Sequence, residues 1–229
     1  MDVIITGCSR GIGFELVKAF LAASESRVLA ISRNVNSLHK LSADHAGKLF
    51  PVSLDLSSEG FTQQLGEVIH QLEFRPAVLI NNAGLLVNKP FNALQNDDFD
   101  QMFAINVKAP FQLIRFLLPH FMPGSHIVNI GSMGGFQGSV KFQGLSLYSA
   151  SKAALAVLTE CLATELNDYN IRCNCLALGA AQTEMLEQAF PGYNAPVSAN
   201  DMADFIFHFA RESHHFINGK IIPVSLSTP

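Results

Sequence analysis

Val3-Ile4-Ile5-Thr6-Gly7-Cys8-Ser9-Arg10-Gly11-Ile12-Gly13 is the stretch that decides the fold. A short apolar run leads into three glycines. Residues 12–24 then carry Ile12, Leu16, Ala19, Phe20 and Ala23 at helical spacing. Gly7 permits a tight turn. Gly11 and Gly13 remove side chains where backbone must approach a pyrophosphate and pack closely. The unpaired amides of the helix's first turn then face the anion. Glycine turns are common, so the meaning of this one comes from its place between a strand and a helix. Its spacing is Thr-Gly-x-x-x-Gly-x-Gly, not Gly-x-Gly-x-x-Gly.

Outward from that turn, the same alternation continues. Short apolar runs at 28–31, 49–54, 77–80, 127–130, 171–176 and 221–224 read as strands. Helical patterns cover 35–43, 60–72, 98–118, 147–168 and 201–210, the last preceded by Ser198 as N-cap with Asp201 completing a capping box. Seven strands that are apolar throughout, not alternating, imply burial on both faces. That means a parallel sheet with helices on either side, an α/β fold. No Gly-, Ser- or Pro-rich linker interrupts the chain, so residues 1–229 are expected to form one domain. Residues 184–200, with Pro191, Gly192 and Pro196, are the least regular segment. They leave the carboxyl end of a predicted strand, the place of a substrate loop.

Composition narrows the function classes. The chain has 229 residues, 48% of them hydrophobic, and a net charge of −4, which excludes a disordered or fibrous chain and gives no support for nucleic-acid binding. No run reaches the roughly 18 apolar residues of a membrane span. Cys8, Cys161, Cys173 and Cys175 lack metal spacing and read as buried free thiols of a reducing compartment. No signal peptide precedes the first strand, so a cytoplasmic protein is expected. His208, His214 and His215 likewise lack a metal partner set. Phe99 and Phe103 read as core.

The chemistry-bearing residues lie late in the chain. In Tyr148-Ser149-Ala150-Ser151-Lys152, positions four apart share a helix face. An ammonium beside a phenol should lower the phenol's pKa, so that the pair can pass a proton to or from an alcohol oxygen. Ser132 follows the fifth strand, at the carboxyl end where ligands bind. No Gly-x-Ser-x-Gly elbow surrounds it, so it is not set up as a hydrolase nucleophile. Asn106 falls within a helical pattern four residues before Pro110, whose missing N–H frees the Asn106 carbonyl. Asn81-Asn82-Ala83-Gly84 closes the fourth strand. At the end of the second strand, Ser32-Arg33 stands where an acidic residue would hold a ribose diol. Arg33, with Arg10 nearby, suits a 2′-phosphate, so NADP(H) is expected over NAD(H).

The glycine spacing, Asn81-Asn82-Ala83-Gly84 and Tyr148-x-x-x-Lys152 together resemble the short-chain dehydrogenase/reductase family, in its small single-domain form, from Thr6 to about Val224. The resemblance implies a doubly wound Rossmann-type three-layer sandwich around a mostly parallel seven-stranded sheet. It implies NADPH-dependent reduction of a ketone or aldehyde, with catalytic Asn106, Ser132, Tyr148 and Lys152. The cofactor would be held by Gly7, Ser9, Arg10, Gly11, Ile12, Gly13, Arg33, Asp55, Leu56, Asn82, Ala83, Gly84, Tyr148, Lys152 and Thr183. In the family Ser132 would bond the substrate carbonyl, Asp55 the adenine amino group and Thr183 the nicotinamide carboxamide. The Asn106 carbonyl would hold water on a proton path to the lysine. Asn81 would steady the sheet, and a homodimer or homotetramer would form through the long helices at 98–118 and 147–168. This chain departs from the family in three places. The Ser132–Tyr148 separation is longer, Leu178-Gly179 stands for Pro-Gly, and the tail lacks Asp-Gly-Gly. Phe136 and Phe142 of the longer loop are candidates for an apolar substrate pocket, while Ser139 and Ser146 are weaker rivals of Ser132. An NAD-dependent alcohol dehydrogenase and a non-catalytic dinucleotide-binding protein are the alternatives.

Overall fold

The computed structural model describes residues 1–23 and 25–226. Its first half runs β1 (Asp2–Thr6), α1 (Gly11–Ala22), β2 (Arg27–Ser32), α2 (Asn36–Ala43), β3 (Leu49–Ser53), α3 (Phe61–Leu72) and β4 (Pro76–Asn81). Then follow α4 (Asn96–Phe103), α5 (Ala109–Leu117), β5 (His126–Ile130), α6 (Ser146–Glu165) and β6 (Arg172–Leu178). The chain ends with β7 (Ala181–Gln182), α7 (Glu184–Ala189), β8 (Val197–Ser198), α8 (Ala199–Glu212) and β9 (Ile221–Val224).

Seven strands form one sheet in the order β3-β2-β1-β4-β5-β6-β9, and every neighbouring pair is parallel. Strand β1 shows why the runs are apolar throughout. Val3 and Ile5 enter a core with Leu16 and Phe20 of α1 and Ile206 of α8. Ile4 points the other way, toward Phe61 and Leu65 of α3, Leu113 of α5 and Ala163 of α6. The fold is thus the expected three-layer Rossmann-type sandwich. Strand order reverses between β1 and β4, and the crevice at a reversal of this kind is where α/β sheets bind ligands.

Three sequence expectations change. The helix expected at 98–118 is α4, a π-turn over Ala104–Lys108, then α5, with the Ala109 amide bonded to Ala104 O. Pro110 has no N–H to continue the regular ladder, so the widened turn absorbs the break. Cys161 is exposed, because α6 turns it outward four residues after exposed Val157; the other three thiols are buried. Phe99 is 45% exposed and stacks on Phe103 instead of entering the core. At α8, the Asp201 amide donates to Ser198 Oγ at 3.1 Å as expected, while the Asp201 carboxylate takes the Ser198 hydroxyl and not its amide. Among the described residues, no helix is long and apolar enough to cross a membrane, and no cluster of His, Cys, Asp or Glu is suited to a metal.

Candidate active site

At the glycine turn the backbone has no room for side chains. Gly7 and Gly11 hold φ of 72° and 55°. A Cβ on Gly13 would stand 2.2 Å from Gly7 O and 2.5 Å from Asn82 Nδ2. The turn is also bonded to the end of β4. The Asn82 and Ala83 amides both donate to Thr6 Oγ1 at 3.0 Å, and Asn82 Nδ2 donates to Thr6 O at 3.0 Å. Beneath them, buried Asn81 donates to Asn129 Oδ1 at 2.7 Å, and Asn129 donates to Thr159 Oγ1 at 2.9 Å. Asn81 therefore stitches β4 to β5 and α6, while Asn82 faces the cleft. The Ser9 amide donates to Ser32 Oγ at 3.1 Å, which fixes the turn against β2. Helix α1 begins at Gly11 with no side-chain cap and no acidic residue in its first turn, so its positive pole is available to an anion.

A cleft of about 1280 Å³ opens along the carboxyl ends of the strands. That exceeds the roughly 300–1000 Å³ of an ordinary small-ligand pocket and suits two ligands side by side. Gly7, Ser9, Arg10, Gly11, Ile12 and Gly13 line one end, with Arg33, Asp55 and Leu56 beside them. Arg10 and Arg33 are exposed, and neither makes an ion pair with a carboxylate among the described residues. Asp55 accepts the Ser57 hydroxyl at 2.6 Å and amide at 2.9 Å. These bonds, with Arg33 nearby, hold its carboxyl below the ordinary range. Asn82, Ala83, Gly84 and Thr183 line the middle of the cleft, and Thr183 also caps α7 by accepting the Leu186 amide at 3.3 Å.

Ser132, Tyr148 and Lys152 line the other end. Ser132 Oγ accepts the Gly134 amide at 3.1 Å, and its side chain lies near enough to the Tyr148 phenol to favour the phenolate. Glycine is required again here. A Cβ on Gly135 would stand 2.6 Å from the Ala153 amide nitrogen, so only a bare backbone lets the Ser132 turn dock on α6. Lys152 is buried and donates to Ile130 O at 2.8 Å. Burial pushes its ammonium down to about 8, partly opposed by Cys175. Burial also pushes the Tyr148 phenol up, against a smaller lowering by Ser132. The expected lowering by Lys152 is not found. Its Nζ points to Ile130 O and lies 5.9 Å from the Tyr148 ring centroid, so desolvation decides the direction.

Of the expected catalytic and cofactor-binding residues, Asn106 is the one that does not line the cleft, and Phe136, a candidate for the apolar pocket, does not line it either. Asn106 lies in the π-turn, fully buried. Its side chain accepts the Leu85 amide at 2.8 Å and donates to Leu85 O and to Ser151 Oγ, each at 2.9 Å. Ser151 Oγ in turn donates to Tyr148 O at 2.8 Å. Asn106 thus joins the irregular segment following Gly84 to the first turn of α6. Ser139 donates to Met133 O and Phe136 O, a loop staple and not a rival for Ser132, and Ser146 opens α6. Phe142 lines the cleft, as do Met185, Phe190 and Tyr193 of the segment 184–200. Sequence reading missed Leu86, Gln101, Ile105, Met133 and Leu145, apolar or neutral residues without a motif to mark them. Leu178, in place of proline, pairs with Val224, which carries β6 two residues beyond its expected end.

Comparison with known proteins agrees with this geometry. Residues 2–194 match the family model for short chain dehydrogenase. The chain is 34% identical over 178 residues to carbonyl reductase (NADPH) 2 of Sus scrofa, covering 76% of this chain and 69% of that protein. It is 30% identical over 240 residues to the 2-(R)-hydroxypropyl-CoM dehydrogenase of Xanthobacter autotrophicus, covering 96% and 94%. Among solved structures, a 4-hydroxyisoleucine dehydrogenase complexed with NADH superimposes with a TM-score of 0.85 at 27% identity, over 98% of this chain and 96% of that one. A short chain dehydrogenase from Burkholderia cenocepacia in complex with NADP gives a TM-score of 0.85 at 24% identity, over 97% and 95% of the two chains, and so shares the fold. With the family model spanning most of the chain and these relatives covering the rest, the chain belongs to the short-chain dehydrogenase/reductase family, NAD(P)-dependent oxidoreductases that act on CH–OH and C=O groups by hydride transfer.

Proposed function

We propose that this enzyme reduces a ketone or aldehyde to an alcohol with NADPH, with Tyr148 as the proton donor. The observation that carries the reading is the gathering of Ser132 and Tyr148 on one wall of the cleft, with the Ser132 side chain near enough to favour the Tyr148 phenolate and Lys152 one helical turn on. The bound nicotinamide supplies the hydride. Ser132 polarises the carbonyl oxygen and Tyr148 delivers a proton to it. A phenol raised by burial stays protonated at neutral pH, as a donor in this direction needs. Lys152, with a pKa of about 8, remains mostly charged at pH 7 and holds the nicotinamide ribose. Asn106 keeps the path for proton resupply in place. Gly7, Ser9, Gly11, Ile12, Gly13, Asp55, Leu56, Asn82, Ala83, Gly84 and Thr183 hold the dinucleotide.

Arg10 and Arg33, exposed at the adenosine end and in no close ion pair among the described residues, support NADP(H) over NAD(H). Kinship with the porcine carbonyl reductase, named for NADPH, points the same way. The reading also takes residues 1–229 as one catalytic domain with 184–200 as its substrate loop. It has a cytoplasmic homodimer or homotetramer without a nucleic-acid partner, supported by apolar Phe111 and Val157 exposed on α5 and α6. The test follows NADPH and NADH absorbance over a panel of ketones, aldehydes and quinones. Arg33→Ala should raise the KM for NADPH about tenfold and leave that for NADH nearly unchanged. Equal losses for both dinucleotides would remove the assigned 2′-phosphate contact. NADH as the better substrate in the wild type favours the NAD-linked alcohol dehydrogenase, and dinucleotide binding without turnover favours a binding protein.

A further inference from the structure

The two ends of the cleft differ sharply in charge. Among the described residues, Arg10, Arg33 and Lys152 are the only cations lining it. Arg10 and Arg33 belong to the glycine turn and the end of β2, and Lys152 is fastened to Ile130 O. Three segments wall the catalytic end. They are residues 85–90 after β4, the loop between Ser132 and Tyr148, and α7 with the residues after it. They are bonded to one another, since the Lys89 amide donates to Gly144 O at 3.1 Å and Asn88 Nδ2 donates to Ala189 O at 2.8 Å. Each lysine in these walls is engaged elsewhere. Lys89 Nζ binds both Asp98 oxygens at 2.8 Å. Lys141 Nζ binds Phe136 O at 2.7 Å and Ser139 Oγ at 2.6 Å. The carboxylate of Glu184 is also directed away, with Oε2 3.5 Å from the place a Gly11 Cβ would occupy.

What these segments present to the cleft is apolar: Leu86, Met133, Phe142, Phe190 and Tyr193. Phe142 is 54% exposed, so its ring gains burial only when something apolar enters. We infer that the catalytic end selects an uncharged, largely apolar carbonyl compound and discriminates against substrates that place a carboxylate, phosphate or sulfonate between these walls. The reason is desolvation. An anion brought between these walls loses water and finds no cationic partner in them, the remaining N–H groups of Lys152 being assigned to the nicotinamide ribose, whereas an aryl or alkyl group loses nothing of the kind. The inference rests on the carbonyl reduction proposed above, in which the carbonyl carbon gains hydride, its oxygen gains the Tyr148 proton and the nicotinamide is oxidised.

The test compares 4-phenylbutan-2-one with 4-(4-carboxyphenyl)butan-2-one and the methyl ester of the latter, at saturating dinucleotide. For the wild type, kcat/KM for the parent ketone and the ester should exceed that for the carboxylate by at least about tenfold, mainly through KM. Gln101→Arg, an exposed cleft position on α4, should narrow the gap by raising kcat/KM for the carboxylate. A carboxylate turned over as well as its ester overturns the inference and leaves the proposed function standing. If no ketone turns over, the proposed function fails instead. Calorimetric binding of the three ketones to the dinucleotide-saturated protein then decides the inference, with the same order supporting it and equal or tighter carboxylate binding refuting it.

Discussion

Strand β5 has a buried titratable group at each end, and the two behave alike in one respect and oppositely in another. At the amino end, His126 is fully buried and pushed down to about 4, chiefly by burial, with a bond to Ala210 O opposing and His214 and His215 adding to the lowering. Beyond the carboxyl end, Lys152 is pushed down to about 8, again chiefly by burial. Both groups are perturbed, yet only one faces a cleft. His126 uses both ring nitrogens, Nδ1 with Ala210 O at 2.9 Å and Nε2 with Asn174 Nδ2 at 3.0 Å. Lys152 spends one of its three N–H groups on Ile130 O. The contrast shows that a shifted pKa marks burial, and that spare hydrogen-bonding capacity facing a cavity is what marks a site.

The largest expected effect tests the carboxyl end. Tyr148→Phe removes one hydroxyl from a half-buried ring and leaves the packing in place. It should lower kcat by about 10²- to 10⁴-fold, the usual contribution of a positioned acid. The thermal midpoint should stay near that of the wild type. Unchanged turnover would mean that the approach of Ser132 and Tyr148 is structural, and the two ends of β5 would then be alike.

Next comes the amino end, where the same logic predicts an effect on stability and none on chemistry. In the unfolded chain His126 titrates near 6.5, and in the folded protein near 4, so the unfolded state binds more protons between those values. Its contribution is therefore fully present above about pH 6.5 and is lost as pH falls toward 4, on the order of 3 kcal/mol in all. His126→Gln, which can keep a donor toward Ala210 and an acceptor toward Asn174, should flatten the pH dependence of urea unfolding by about that amount. His214 and His215 face the ring from the turn after α8, and Arg172 acts on His214; all remain in the variant. Parallel wild-type and variant curves would show that His126 does not titrate on unfolding.

These two ends were not equally legible in the sequence. The glycine turn could be read because its demand is local: a missing Cβ at Gly13 says that backbone passes close, whatever the partner. Tyr148 and Lys152 could be paired because four residues on a helix make one turn. The break near Asn106 was visible in Pro110, but the grip of its side chain on Leu85 and Ser151 was not, since those partners come from distant parts of the chain. The direction of the Tyr148 shift escaped for a related reason. Spacing puts Lys152 nearby, and only the packed structure shows burial prevailing and the ammonium turned to Ile130 O. His126 carried no signal at all, because its partners Asn174 and Ala210 lie 48 and 84 residues away. Cys161 was misread although the period of α6 sets it four residues after exposed Val157.

The smallest expected effect carries the comparison to the glycine turn, where spare capacity belongs to backbone amides. Helix α1 has no acidic residue in its first turn and no side-chain cap, and the exposed Glu184 carboxylate approaches it near Gly11. In the free protein that charge interacts favourably with the helix pole. A bound pyrophosphate has to share the pole with it or displace it. Glu184→Gln should therefore tighten dinucleotide binding by about two- to fivefold at low salt, the usual scale of a charge at a helix end. Calorimetric titration at low and high salt distinguishes this from a packing effect. An electrostatic gain shrinks as salt rises, because exposed charges are screened, whereas a gain from repacking of α7 persists.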